Sequence, residues 1–132
     1  MARILVVDDD AGFRATVARM LGRLGHEVQL ADGGEAGLHL FRTMPADVVL
    51  MDVFMPGTDG VETTRRLTVL SPRTPVVATS GGGVLPSEMA LSLAGHSGAF
   101  TTLPKPFTLE ELRDTLDRVL QPGAAGPDVE VG

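Results

Sequence analysis

Aspartates stand directly after two short apolar runs of the chain, and they are its clearest candidates for chemistry. Asp8 and Asp9 follow the run at residues 4–7, and Asp52 follows the run at residues 48–51. Short apolar runs bounded by turn residues predict strands buried on both faces, as in a parallel sheet. The carboxyl ends of such strands meet at one edge, where α/β sheets bind their ligands. Because clustered carboxylates repel one another unless a cation neutralises them, we predict a divalent-metal site beside a reactive aspartate.

Mg²⁺ is the ion that suits this predicted site. It prefers oxygen ligands in near-octahedral geometry, and usually combines one or two carboxylates with waters and phosphate oxygens. We expect Asp9 and Asp52 to supply the carboxylates, Asp8 to bind through a water, and a backbone carbonyl just past Asp52 to complete the protein ligands. Asp52 beside such an ion is a competent nucleophile toward phosphorus, since the metal screens its approach to an anionic donor.

Two further polar residues follow later predicted strands at the same edge. Ser80 ends the strand expected over residues 75–80, and Lys105 comes shortly after the strand expected over residues 99–103. Phosphoryl transfer needs chiefly positioning and neutralisation of the equatorial phosphoryl oxygens. The Ser80 hydroxyl and the Lys105 ammonium would do this from two sides, so the pattern predicts phosphoryl transfer to Asp52.

Strand and helix patterns alternate along the chain. Gly25 directly follows the first predicted helix as a C′ residue, and Asp32 is expected to cap the second helix. Thr108 with Glu111 predicts a capping box at the last helix. Five strand–helix units joined by short loops imply a parallel sheet covered on both faces, with right-handed crossovers. The predicted strands cover residues 4–7, 26–31, 46–51, 75–80 and 99–103, a third helix covers residues 60–70, and a short fourth helix begins near Pro86.

Composition limits the class of protein. The 132 residues are 43% hydrophobic and 4% aromatic, which predicts one domain with a mainly aliphatic core. Cysteine is absent, which excludes disulfides and thiolate metal sites. No apolar stretch reaches the roughly 18 residues of a membrane span. A net charge of −6 without a basic run argues against nucleic acid as a partner. Residues 121–132, rich in Gly, Ala and Pro, are expected to be a disordered tail.

In order and spacing, these motifs resemble those of the receiver domain of two-component response regulators, over about residues 2–120. The resemblance implies a (βα)5 flavodoxin-like α/β fold, which is a doubly wound parallel sheet with strand order 2-1-3-4-5. The receiver domain would occupy residues 1–120. The matching segments are residues 4–10, Asp52 with Met55-Pro56 and Asp59-Gly60, Thr79-Ser80-Gly81, and Lys105-Pro106-Phe107.

The same resemblance assigns a role to each residue of the predicted site. Asp52 would be the phosphoacceptor, and Asp8 and Asp9 would be the acidic pair that holds Mg²⁺. The other family roles fall on Phe54 (a backbone carbonyl ligand of the metal), Ser80 (the switch hydroxyl) and Lys105 (the partner of the phosphoryl group, with a cis peptide bond to Pro106).

The function implied by the resemblance is that of a signalling switch. The domain would accept a phosphoryl group on Asp52 from a histidine kinase or histidine phosphotransfer protein, change its partner-binding face, and slowly autodephosphorylate. Because it would modify only itself, we do not expect an enzyme. We expect a cytoplasmic protein, monomeric or weakly homodimeric, that binds neither membrane nor nucleic acid.

Three other interpretations stay open. The first is that the chain is the N-terminal receiver part of a longer regulator with a DNA-binding or enzymatic output domain. The second is an aspartate-nucleophile phosphohydrolase, which typically has a second aspartate two residues after the nucleophile as general acid. Phe54 stands at that position and argues against this class. The third is a receiver-like module that only binds partners, against which the complete set of polar site residues argues.

Two features depart from the family pattern. The family often has Tyr or Phe three residues before the lysine, whereas this chain has Thr102 there and Phe100 two residues earlier. A run of three glycines, residues 81–83, also follows Ser80. Since Thr102 is too small to act as a large apolar switch, we expect activation to order residues 81–95 while strand five changes little.

Overall fold

The computed structural model describes residues 1–53, 60–80 and 100–121 of the chain. Four of the predictions above concern residues outside these ranges. They are the Phe54 carbonyl ligand, the helix near Pro86, the ordering of residues 81–95, and the tail, of which only Gln121 is described.

Five parallel strands form one sheet in the order β2-β1-β3-β4-β5. This confirms the doubly wound α/β fold and the 2-1-3-4-5 order, and each observed strand boundary lies within two residues of its predicted position. Within the described ranges, every helix is too short or too polar to cross a lipid bilayer. In chain order the elements are β1 (Arg3–Val7), α1 (Ala11–Arg23), β2 (Glu27–Ala31), α2 (Gly34–Thr43), β3 (Val48–Asp52), α3 (Gly60–Leu70), β4 (Val76–Ser80), β5 (Phe100–Pro104) and α4 (Leu109–Leu120).

The helix ends follow local sequence signals, with one exception. Thr108 and Glu111 form the predicted capping box of α4, in which each side chain accepts a hydrogen bond from the other residue's amide, at 3.0 and 2.9 Å. Gly25 follows α1 with a φ of 88°, the left-handed conformation that favours glycine. The prediction for Asp32 is wrong, because Gly33 is the N-cap of α2 and makes no side-chain capping bond. The chain stays extended through Gly33, so Asp32 lies one residue too early to cap the helix.

The core consists of two apolar layers, one on each face of the sheet. Successive side chains of a strand point to opposite faces, so Leu5 and Val7 of β1 pack in one layer while Ile4 and Val6 pack in the other. Burial on both faces explains why the sequences of these strands are continuous apolar runs. The helices contribute Leu38 and Phe41 of α2 and Leu67 of α3 to the first layer, and Val17 and Leu21 of α1 and Leu112 and Leu116 of α4 to the second.

Candidate functional site

The strand register places Asp8 and Asp52 side by side. Val7 of β1 pairs with Met51 of β3, so the next residue of each chain segment reaches the same edge of the sheet. The Asp8 amide donates a hydrogen bond to the Ala31 carbonyl at 3.1 Å, which continues the pairing with β2 past the end of β1. Both aspartates are therefore held by backbone pairing at the carboxyl edge of the strands, as predicted.

Three carboxylates converge at this edge. The side chains of Asp8, Asp9 and Asp52 each offer an oxygen atom, and these atoms all lie within 4.8 Å of one another. Asp8 is 1% exposed and Asp52 is 4% exposed, whereas Asp9 lies open to solvent. Buried carboxylates are costly unless a cation compensates them. Three hard oxygen donors in this arrangement, one of them reachable from solvent, fit the ligand preference of Mg²⁺.

Lys105, the only lysine of the chain, brings its ammonium group to the carboxylates. Its Nζ atom lies 2.7 Å from Asp8 Oδ2 and 3.8 Å from Asp52 Oδ2. The Lys105 side chain is 17% exposed, so this double ion pair is largely shielded from water. The peptide bond between Lys105 and Pro106 is cis, as predicted.

The start of α1 further fixes both the carboxylate and the backbone carbonyl of Asp8. The Asp10 amide donates to Asp8 Oδ1 at 2.9 Å, and Arg14 Nη1 donates to the Asp8 backbone carbonyl at 2.6 Å. The Asp10 carboxylate accepts a hydrogen bond from the Phe13 amide at 3.1 Å and is the N-cap of α1. One Asp8 oxygen therefore faces a backbone amide while the other faces the Lys105 ammonium.

An aromatic pair lies against Lys105 on the side of α1. Lys105 Nζ is 4.0 Å from the centroid of the Phe13 ring and lies over its face. Phe13 in turn packs against Phe107 in a T-shaped pair, with ring centroids 5.7 Å apart and an interplanar angle of 87°. Both rings line an open groove of about 600 Å³ that also includes Val17 and Met20. Lys105 also lines this groove.

Gly60, the first residue of α3, packs against the backbone of β3. A Cβ atom at this position would lie 2.6 Å from Val53 Cα and would collide with the Asp52 carbonyl oxygen. Only a residue without a side chain allows the helix to start this close to the strand. Gly60 therefore helps to set where the backbone of Asp52 lies.

Three residues of the site were not predicted to belong to it, namely Phe13, Arg14 and Gly60. Phe13 and Arg14 follow Asp10 by three and four residues, which places both in the first turn of a helix that begins at the carboxyl edge. The sequence could have predicted this, because the first turn of a helix that begins at this edge lies beside any site there. For Gly60 the signal was its place at the predicted start of the helix that begins eight residues after Asp52.

The roles predicted for all the site residues stay predictions, and the positions of two of these residues complete the description. Ser80 is the last residue of β4, where its backbone pairs with Pro104 of β5, so it ends a strand at the same edge as Asp52. Phe54 lies outside the described residues.

A model of the response regulator receiver domain family matches residues 4–117 of this chain. Regulatory protein AtoC of Escherichia coli (strain K12) is 37% identical to it over 119 residues, which are 90% of this chain and 25% of AtoC. Response regulator MprA of Mycolicibacterium vanbaalenii is 40% identical over 110 residues, which are 83% of this chain and 46% of MprA. The chain thus spans a quarter to just under half of the length of these two curated relatives.

A solved structure agrees with both the fold and the sequence match. The chemotaxis protein CheY4 of Vibrio cholerae superimposes with a TM-score of 0.82 at 33% identity, over 91% of this chain and 99% of that protein. The range that the family model matches, residues 4–117, includes Asp8 and Asp9 after β1, Asp52 at the end of β3, and the segment around Lys105. By sequence match, sheet order and acidic edge alike, the chain belongs to the response regulator receiver domain family.

Proposed function

We propose that the chain is a phosphorylation-dependent switch in which Asp52 accepts a phosphoryl group from a histidine kinase or a histidine phosphotransfer protein. The observation that carries this proposal is the convergence of three carboxylates within 4.8 Å, with the Lys105 ammonium beside two of them. Membership of the receiver family supports the same donor class, since receiver domains partner with histidine kinases.

The proposed transfer is a displacement at phosphorus. An Asp52 carboxylate oxygen attacks the phosphorus of a phosphohistidine, a P–O bond forms, and the P–N bond breaks with its electron pair returning to the imidazole nitrogen. Lys105 lies 3.8 Å from Asp52 and would pair with an oxygen of the incoming phosphoryl group. The Ser80 hydroxyl is proposed to donate to a second oxygen. Positioning and charge neutralisation of this kind supply most of the catalysis in phosphoryl transfer.

A Mg²⁺ site is part of the proposal. The residues that would hold the ion are Asp8, Asp9 and Asp52, with the Phe54 backbone carbonyl as a further ligand. Bound there, the ion would neutralise phosphoryl oxygens and screen the approach of one anion to another. The exposed Asp9 carboxylate would face solvent, which suits an ion that keeps several of its waters.

The proposed switch turns over no separate substrate. Water would attack the phosphorus of the aspartyl phosphate, release inorganic phosphate and restore the Asp52 carboxylate. The chain would act in the cytoplasm as a monomer or weak homodimer. If it were a phosphohydrolase instead, it would turn over a generic phosphomonoester in the presence of Mg²⁺; we expect no turnover above that of Asp52→Asn.

Intact-mass spectrometry after incubation with a small acyl phosphate and Mg²⁺ tests the proposal. We expect one phosphoryl group per wild-type chain, none on Asp52→Asn, and none when a chelator is in excess. Asp32→Asn is the matched control, because Asp32 is an exposed aspartate after β2 at the same edge but outside the acidic cluster. Phosphorylation that persists in Asp52→Asn, or that proceeds at full rate with chelator, would contradict the proposal.

A second candidate is the receiver part of a longer regulator. It is favoured by the match to only 25% of AtoC and 46% of MprA. DNA binding would then belong to an output domain, while this acidic chain of net charge −6 would bind no DNA by itself. An antibody against this chain distinguishes the two cases, because it would detect in the source cells a protein either of the mass of this chain or of a much larger one.

A further inference from the structure

We infer that Phe13 is a positioning residue for Lys105, and that the face of its ring holds the ammonium group at the carboxylate pair. Lys105 Nζ lies over this ring, 4.0 Å from its centroid, well inside the roughly 6 Å over which a cation is attracted to an aromatic face. The consequence of this contact for phosphoryl transfer rests on the function proposed above. The contact itself does not.

The ammonium group is held on two sides by different chemistry. On one side it makes an ion pair with Asp8 Oδ2 at 2.7 Å, and on the other it faces the Phe13 ring. The Lys105 side chain is only 17% exposed. Attraction between a cation and a ring increases as water is removed, so this contact is stronger than one on an open surface. An aliphatic side chain at position 13 would fill the space without attracting the charge.

The Phe13 ring is itself held in place. Its amide donates to the Asp10 carboxylate at 3.1 Å, which fixes the first turn of α1. Its ring packs in the T-shaped pair with Phe107, and edge-to-face pairs of this kind have a preferred geometry. Since Phe107 lies only two residues after Lys105, the segment that carries the ammonium also carries the partner of the ring.

These contacts connect four residues in a closed cycle. The Asp8 carboxylate accepts from the Asp10 amide at 2.9 Å, the Asp10 carboxylate accepts from the Phe13 amide, the Phe13 ring faces the Lys105 ammonium, and that ammonium returns to Asp8. Loss of the contact between the ammonium group and the Phe13 ring would break this cycle at its one aromatic contact. The ammonium group would then keep only its ion pairs and would be less well placed beside Asp52.

A fluorination series at position 13 tests the electrostatic part of this inference. Phenylalanine with one, two and three fluorine atoms keeps nearly the same shape, while the negative charge on the ring face falls at each step. Because Lys105 is the only lysine of the chain, ¹³C-labelled lysine gives one set of side-chain NMR signals. The matched control is the same series at Phe41, which is 4% exposed in the other core layer and has no cation contact among the described residues.

We expect the ε-methylene protons of Lys105 to be shifted upfield by the Phe13 ring, and the shift to decrease along the series and to vanish in Phe13→Leu. The rate of phosphorylation by a small acyl phosphate with Mg²⁺ should fall in parallel, by about fivefold at three fluorines. The Phe41 series should leave both readouts unchanged.

Three results would overturn the inference. The first is a wild-type Lys105 signal without an upfield shift, and the second is a shift that stays constant along the series. The third is a phosphorylation rate that is insensitive to fluorination at position 13. If wild-type protein accepted no phosphoryl group at all, the proposed function would fail, while the NMR series would still decide whether Phe13 positions Lys105.

Discussion

The Lys105 ammonium lies 2.7 Å from an Asp8 oxygen but 3.8 Å from the nearest Asp52 oxygen. One cation is therefore shared between two buried carboxylates and is closer to Asp8. Without a metal ion, this lysine supplies part of the charge compensation that the sequence alone assigned to Mg²⁺. It also means that Mg²⁺ and Lys105 would approach the same carboxylate, so metal binding and the position of the lysine would be coupled.

Replacing Lys105 should reveal the coupling between this lysine and metal binding. Lys105→Met leaves two buried carboxylates without their ammonium partner, so the free energy of unfolding without metal should fall by about 2–3 kcal/mol. Mg²⁺ should then stabilise the variant more than the wild type, because it becomes the main remaining source of positive charge at the site. Urea unfolding with and without Mg²⁺ measures both effects.

The control for this prediction is an exposed ion pair. Arg65 and Glu62 lie 2.6 Å apart, with side chains that are 47% and 45% exposed. Arg65→Met should change the unfolding free energy by no more than about 0.5 kcal/mol, since exposed pairs contribute little. Equal effects of the two substitutions would contradict the view that burial makes the Lys105 pairs strong.

Metal removal should lower the stability of the wild type. At ten times its Kd, Mg²⁺ is expected to stabilise the fold by about 1.4 kcal/mol. Asp9→Asn should lose most of this increment, yet should melt higher than the wild type without metal, because like charges a few ångström apart in water repel by about 1 kcal/mol. Asp32→Asn should keep the increment. A metal-free Asp9→Asn protein that melts below the wild type would refute the acidic-cluster account.

Adding one methyl group at Gly60 should disturb both stability and the site. A Cβ atom there would lie 2.6 Å from Val53 Cα and collide with the Asp52 carbonyl oxygen, so Gly60→Ala should destabilise the fold by about 1–3 kcal/mol. Displacement of the Asp52 backbone should also slow phosphorylation. The matched control is Gly22→Ala in α1, where a Cβ atom meets nothing within 4 Å. That change should stabilise the helix by about 0.5–1 kcal/mol.

The capping box of α4 should contribute to the stability of the fold without affecting the acidic site. Thr108→Ala removes a side-chain acceptor from the Glu111 amide and should cost about 1 kcal/mol in chemical unfolding. The stabilisation by Mg²⁺ should stay the same as in the wild type. In contrast, Thr68→Ala within α3 should be neutral or stabilising, because among the described residues its hydroxyl bonds only back to the Arg65 carbonyl. If Thr68→Ala cost as much as Thr108→Ala, the effect would not be due to capping.

Local sequence patterns were enough to predict the fold class, the strand and helix positions and the edge of the sheet at which the aspartates meet. This was possible because these features depend on local patterns. The apolar runs at residues 4–7 and 48–51 identify buried strands, and Gly25 and Thr108 mark helix ends through their own backbone and side-chain chemistry. The error at Asp32 has the same local origin. Capping depends on the exact residue at which the helix begins, and α2 begins one residue later than predicted, so Gly33 is its N-cap.

The assembly of the site, in contrast, depends on contacts that form only when remote segments of the chain pack together. Lys105 and Asp8 are 97 residues apart in the chain, and their distance depends on how β5, β1 and the start of α1 pack together. The same packing brings the Phe13 ring over the ammonium group and brings Gly60 against the backbone of Asp52. No local pattern contains these contacts, because a side chain's partners across the sheet are set by close packing of remote segments to within a few tenths of an ångström.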